Sequence, residues 1–220
     1  VSRGLGDVYK RQLSDDSNIN VGESTHYIAG LSYENSSWLI DTELFYKDIK
    51  NITEFSLRFQ NTNLNSLFFN GDGEVKGFET LVQKKIDKYT GWISYTYIDA
   101  ENIFPLLNYG DPFPAPNTQK NEFKIFNNYE INGWNFSLNF IYGSGKAFTE
   151  PSYNYNITLL DESELNYIGV GPKNGSLLPD YHRLDLSVHH IFNIQKSKGD
   201  IGVSIFNLYN MINTWYYEYN

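Results

Sequence analysis

Trp134-Asn-Phe-Ser-Leu-Asn-Phe-Ile-Tyr142 is the stretch from which the fold can be read. Trp134, Phe136, Leu138, Phe140 and Tyr142 fall on one side of an extended chain, and Asn135, Ser137, Asn139 and Ile141 on the other. Side chains in a strand alternate between faces with a period of two, so this segment is a strand with one greasy and one mostly polar face. Asn132-Gly133, just before it, supplies the positive φ angles of a two-residue hairpin turn, so a second strand runs antiparallel on its N-terminal side. The same alternation sets Trp38, Ile40, Thr42, Leu44 and Tyr46 against Asp41, Glu43 and Lys47. It also sets Leu184, Leu186, Val188 and Phe192 against Arg183, Asp185, Ser187 and His189. Extended along the chain, the pattern predicts strands near 23–34, 38–50, 73–87, 90–103, 119–131, 134–147, 181–194 and 200–210. The fold class is therefore all-β, an antiparallel up-and-down meander.

The connections alternate between tight and long. Glu34 to Ser37, Asp87 to Tyr89, Asn132-Gly133 and Gln195 to Gly199 are short, whereas 51–72, 104–118 and 148–180 are long and rich in Asn, Gly, Pro and Ser. Soluble domains rarely carry several such loops, but a transmembrane β-barrel has short turns at one rim and long loops at the other. The strands reach the ~9–11 residues that a tilted membrane strand needs. Aromatics collect at strand ends, at Tyr33, Trp38, Trp92, Trp134, Phe148 and Tyr181, as interfacial girdles do. The expected architecture is a partial transmembrane β-barrel, about eight strands of a larger one. The alternatives are a complete small eight-stranded barrel with a structural or adhesion role and a soluble carbohydrate-binding β-sandwich.

Composition narrows the function. Aromatic residues make up 17% of the chain, and a mean hydropathy of -0.46 is compatible with a barrel because only alternate residues meet lipid. No apolar run is long enough for a spanning helix. A net charge of -9 argues against nucleic acid as a partner, and the absence of cysteine removes disulfides, thiolate metal sites and cysteine nucleophiles. Residues 1–12 (VSRGLGDVYKRQ) lack the apolar centre of a signal peptide and differ in composition from the rest of the chain; they are expected to be a non-native leader, with 13–220 as the barrel segment.

Four segments carry a family resemblance. Gly73-Glu-Val-Lys-Gly-Phe-Glu79, Trp92-Ile-Ser-Tyr-Thr-Tyr97, Leu178-Pro-Asp-Tyr-His-Arg-Leu-Asp-Leu-Ser-Val188 and Ile205-Phe-Asn-Leu-Tyr-Asn210 resemble, in order, strand motifs of the C-terminal barrel of TonB-dependent outer-membrane receptors, of a Bacteroidetes-like type. The resemblance implies location in the outer membrane of a Gram-negative bacterium and contact with its lipid. It also implies import of a scarce siderophore, haem, cobalamin or glycan, with energy delivered by TonB through an N-terminal region and plug that lie outside this chain. One further strand is implied beyond a loop starting near Met211. The short-turn rim then faces the periplasm and the long loops face outward. Ligand contact is expected on those loops, where Tyr109, Tyr153, Tyr155 and Tyr167 offer rigid amphipathic surface.

No other chemistry stands out. His189 and His190 are adjacent on a strand and point to opposite faces, so no metal is assigned to them, and no cofactor is expected. Asp161, Glu162 and Glu164 read as a solvated loop cluster, and Gly71-Asp72-Gly73-Glu74 reads as a loop leading into a strand. No nucleophile elbow, catalytic triad spacing or phosphate-cradling loop is present, so an enzyme is not expected.

Overall fold

The computed structural model describes residues 20–55, 68–195 and 197–218; the leader assigned to 1–12 and the centre of the 51–72 loop lie outside them. The chain forms β1 (Glu23–Glu34), β2 (Trp38–Phe55), β3 (Phe68–Ile86), β4 (Tyr89–Ile103), β5 (Phe113–Pro114), β6 (Asn121–Ile131), β7 (Trp134–Gly143), β8 (Ala147–Phe148), β9 (Pro151–Thr158), β10 (Glu164–Val170), β11 (Ser176–Leu177), β12 (Tyr181–Ile194) and β13 (Ser197–Ile205). The large sheet has the order β1-β2-β3-β4-β6-β7-β12-β13, with every neighbour antiparallel and β5 added beside β4. This is the expected meander. It is open, because β1 and β13 are not paired with each other.

Register divides the sheet into two faces. Residues directly opposite each other in an antiparallel pair share a face, so Ile125↔Phe140↔Leu184 and Tyr129↔Phe136↔Val188 extend the greasy side of β7 onto both neighbours. The same face continues through Ile93, Val82, Ile40 and Tyr33 to β1. On the other face, Asp185 accepts a hydrogen bond from Asn139 Nδ2 (3.4 Å) and pairs with Arg183 (2.9 Å), while Ser137 donates to Asn128 (2.8 Å).

Among the described residues nothing covers the greasy face. Leu31, Leu44 and Val203 are 76%, 59% and 67% exposed, whereas buried apolar residues among those described are limited to Phe69, Ala100, Phe104, Phe113 and Ala147. A water-soluble chain of this size buries a large core instead, and no second large sheet faces this one among the described residues. The β-sandwich alternative is thereby set aside.

Aromatics band the greasy face at both ends. Tyr33, Trp38, Tyr89, Tyr129 and Trp134 lie near the short turns, and Tyr27, Tyr46, Phe78, Tyr97, Phe123 and Tyr142 lie towards the long loops. Lys84 reaches over the Trp38 ring (4.8 Å), placing its charge in the girdle with its stem along the wall. Beyond the upper band the same face turns ionic, with Lys50 joining Asp48 (3.3 Å) to Asp72 (3.4 Å) and Lys76 joining Glu74 (3.2 Å) to Asp99 (3.8 Å). Lys120 lies 2.8 Å from the other Asp99 oxygen, and that carboxylate raises the lysine's pKa.

Several boundaries differ from the sequence reading. Trp92 and Tyr181 lie on the polar face, where Trp92 stacks on Phe126 (6.1 Å), and Phe148 meets Tyr217 with tilted rings 5.6 Å apart outside the large sheet. These three are not girdle residues: position near a strand end does not determine the face, which parity does. β2 and β3 run past the expected loop boundaries at 51 and 72, so Gly71-Asp72-Gly73-Glu74 is strand, not loop. The interruption in the pattern is a bulge between Ile49 and Ile52, with Asn51 at φ 58° and its backbone N–H donated to Asp72 (3.2 Å). Strand β7 stops at Gly143, and the 148–180 segment is not structureless, because it contains the β9–β10 hairpin.

The last strand spans 197–205, not 200–210. Asn207 and Asn210 adopt left-handed φ values of 54° and 53°, the Asn207 N–H donates to the Asp185 carboxylate (2.9 Å), and Leu208 N–H donates to Leu184 O (2.7 Å). The Asn-Leu-Tyr-Asn segment is therefore a turn anchored to the edge of β12. Asn213 continues this anchorage by using its side-chain amide as a surrogate strand partner, accepting from His182 N–H (3.0 Å) and donating to His182 O (3.1 Å).

The short turns match expectation. Asn132 and Gly133 both have positive φ (50° and 81°), and the Asn35 side chain accepts the N–H groups of Ser37 and Trp38 (2.8 Å each). His189 and His190 occupy opposite faces, His189 beside Asp200 (3.5 Å) and His190 stacked on Trp134 (4.4 Å).

Candidate functional site

At the long-loop rim three connections are locked together. Phe104, fully buried, stacks on Phe113 (5.9 Å), and with Phe69 they form an apolar knot that Ile52 and Leu107 close. Gly71 lies under this knot: a Cβ there would come within 2.6 Å of the Phe104 ring and 2.4 Å of Ile103 O. Aromatic burial therefore fixes the 104–118 segment, which includes a turn at Asn108–Gly110, against the β2–β3 hairpin.

Polar bonds add the third connection. Asn108 clasps the backbone of Lys173 through both amide atoms (2.7 and 3.3 Å), Lys173 pairs with Glu54, and Asn174 donates to Pro114 O (2.7 Å). Asn174 is itself buried and also bonds Thr149. Such bonds hold a loop when both backbone groups find partners, as those of Lys173 do here.

The four tyrosines chosen from the sequence divide three to one. On the β9–β10 hairpin Tyr155 and Tyr167 are directly paired with rings 5.2 Å apart, and Tyr153 stacks on Tyr155 at 5.9 Å. Ile157 and Leu165, also paired, share that exposed face. Tyr109 is elsewhere, on the Asn108–Gly110 turn with φ 59° and a fully exposed ring. The acidic cluster makes the hairpin tip. Asp161 accepts the Ser163 hydroxyl (2.5 Å) and its N–H (3.1 Å), and these two bonds, the hydroxyl first, hold its carboxyl below the usual range.

A cavity of about 580 Å³ opens beside this rim, on the inner side of the wall. Its floor is made by Glu122, Ile141 and Tyr181 of the polar face, and its sides by Lys146, Phe148 and residues 214–217. Lys146 lies over the Trp215 ring at 5.4 Å. Some cavity residues fall within segments singled out from the sequence, Ile141 and Tyr142 in Trp134–Tyr142 and Tyr181 in Leu178–Val188, but no local pattern marks them or the clasp residues as a site.

The TonB dependent receptor-like, beta-barrel family model matches residues 14–208. The chain belongs to the TonB-dependent receptor barrel family. Barrels of this family are outer-membrane proteins of Gram-negative bacteria, so the greasy face of this receptor segment meets lipid and its long-loop rim faces outside. Solved structures share the receptor fold. The unliganded ferric citrate transporter FecA has a TM-score of 0.60 at 18% identity, with 86% of this chain and 26% of that one covered. The ferripyoverdine receptor of the Pseudomonas aeruginosa outer membrane, solved with ferripyoverdine, gives 0.59 at 13%, with 86% and 24% covered. The FrpB iron transporter of Neisseria meningitidis gives 0.60 at 10%, with 89% and 28% covered. The chain thus spans about a quarter of the length of these relatives. No curated protein matches it.

Proposed function

We propose that this chain is part of the wall and outer rim of an active importer, which captures a scarce ligand on its extracellular loops and is energised through TonB. The observation carrying this reading is the joining of three long loops into one bonded rim above a lipid-facing wall, since a rim made only to span the membrane has no need of it. Among the described residues the outer edges of β1 and β13 have no strand partner, and an open edge in the bilayer leaves backbone groups unsatisfied, which favours the larger receptor over a small closed barrel. Import of metal complexes by relatives such as the ferric citrate transporter supports the reading. The work is transport, not catalysis.

In the intact receptor, replacing Tyr109, Tyr153, Tyr155 and Tyr167 by alanine is expected to reduce uptake from a panel of ferric chelates, haem, cobalamin and oligosaccharides while membrane insertion is unchanged. Uptake equal to that of the parent would remove the loop assignment.

A further inference from the structure

We propose that the cavity between β7, β12 and residues 214–217 is a binding site for an organic anion that carries a ring able to stack on an aromatic face. This rests on the importer reading for its biological purpose but not for binding itself.

The cavity is constructed rather than left over. Asn207 is fixed to Asp185 and Asn213 to both backbone groups of His182, so the segment leading to Trp215 starts from two anchored points. Tyr217 then packs against Phe148 with tilted rings 5.6 Å apart, which closes the far side. On the floor, Gln119 bonds Ser144 O (3.1 Å), and the Asp180 carboxylate accepts Gly145 N–H (3.0 Å), which fixes the loop carrying Lys146. The volume suits a small ligand.

Charge and shape select the ligand class. Glu122, the carboxylate in the lining, is paired with Lys124 at 2.6 Å. Lys146 is the cation in the lining, and it faces the Trp215 ring instead of a carboxylate. Its charge is therefore available to an incoming anion. Trp215 and Tyr216 are 76% and 69% exposed, so much of two broad aromatic surfaces stays open beside the cavity. Sugar faces and aryl rings both stack on such surfaces, and an acidic saccharide or an aryl carboxylate supplies both ring and charge.

The test is titration calorimetry on the intact receptor in detergent with four probes: trigalacturonate, 2-naphthoate, neutral maltotriose and ring-free citrate. One of the two ring-bearing anions should bind, which also identifies the source, while maltotriose and citrate bind at least tenfold more weakly. Lys146→Gln should weaken binding of that anion about tenfold, the equivalent of one charge-assisted hydrogen bond, and Trp215→Ala should weaken it comparably. Both side chains lie at the surface of the cavity, so folding is checked by an unchanged thermal unfolding profile. Failure of both ring-bearing anions, equal binding of maltotriose or citrate, or indifference to Lys146→Gln overturns the site. If binding behaves as stated but cells never accumulate the bound probe, the cavity stands and the importer reading fails.

Discussion

Leu138 and Ser137 are consecutive residues with opposite fates, and arginine at each separates a membrane wall from any other two-faced sheet. Leu138 is paired with Leu186 on one side and Asn127 on the other, midway between Trp134 and Tyr142. With ~3.3 Å per residue and a strand tilt of ~40°, those aromatic levels stand about 20 Å apart along the membrane normal, placing Leu138 near the bilayer centre. Arginine on the lipid face at that depth costs about 2–4 kcal/mol, which is roughly a thirty- to thousand-fold loss in the folding equilibrium. Ser137 faces the lumen and bonds Asn128 (2.8 Å) and Asn135 (3.3 Å), so Ser137→Arg loses only these bonds, about 1 kcal/mol, and puts its charge in a hydrated space. The measurement is a urea titration of the receptor refolded in lipid vesicles, followed by tryptophan fluorescence. Leu138→Arg should unfold at the lower urea concentration. If Ser137→Arg proves equally or more damaging, the assignment of lipid and water sides is wrong.

The rim yields three other expected outcomes. Phe104→Ala removes a fully buried ring and should destabilise the 104–118 loop by about 3 kcal/mol, seen as faster amide exchange there with the wall strands unaffected. Gly71→Ala should loosen the same loop, and pairing it with Phe104→Ala should rescue it only in part, because Ile103 O also blocks the new methyl group. Asp161 has a lowered carboxyl pKa because Ser163 donates to it, so its contribution to the hairpin tip is complete above the ordinary carboxylate range and lost as pH falls through the lowered value. Protection of the Ser163 amide from exchange, measured against the intrinsic rate at each pH, should therefore be lost only below the ordinary carboxylate range, and its loss already near neutral pH would contradict the bond.

The faces of the sheet were legible because period-two alternation directly expresses which side chains meet lipid, as Trp134 to Tyr142 shows. Strand ends were less legible. Asn51 breaks the alternation at the bulge, which hides the continuation of β2, and Asn207 looks like strand until Asp185 is seen to accept its N–H. Tyr153-Asn-Tyr-Asn-Ile157 alternates plainly, yet the surrounding Pro, Gly and Ser residues favour a loop reading over the hairpin that forms. Three of the four chosen tyrosines do gather on that hairpin. The clasp between Glu54 and Lys173 was out of reach, since it joins residues 119 positions apart through no local pattern.

The bulge at Asn51 also separates two inheritances within one strand. Below it, every insertion or deletion of a single residue would exchange the oily and wet sides of β2 up to the next turn. Above it, an extra residue has already been absorbed and Ile52 still faces the same way as Ile49. A change of length beyond the bulge can thus be absorbed while the embedded portion of β2 keeps its phase.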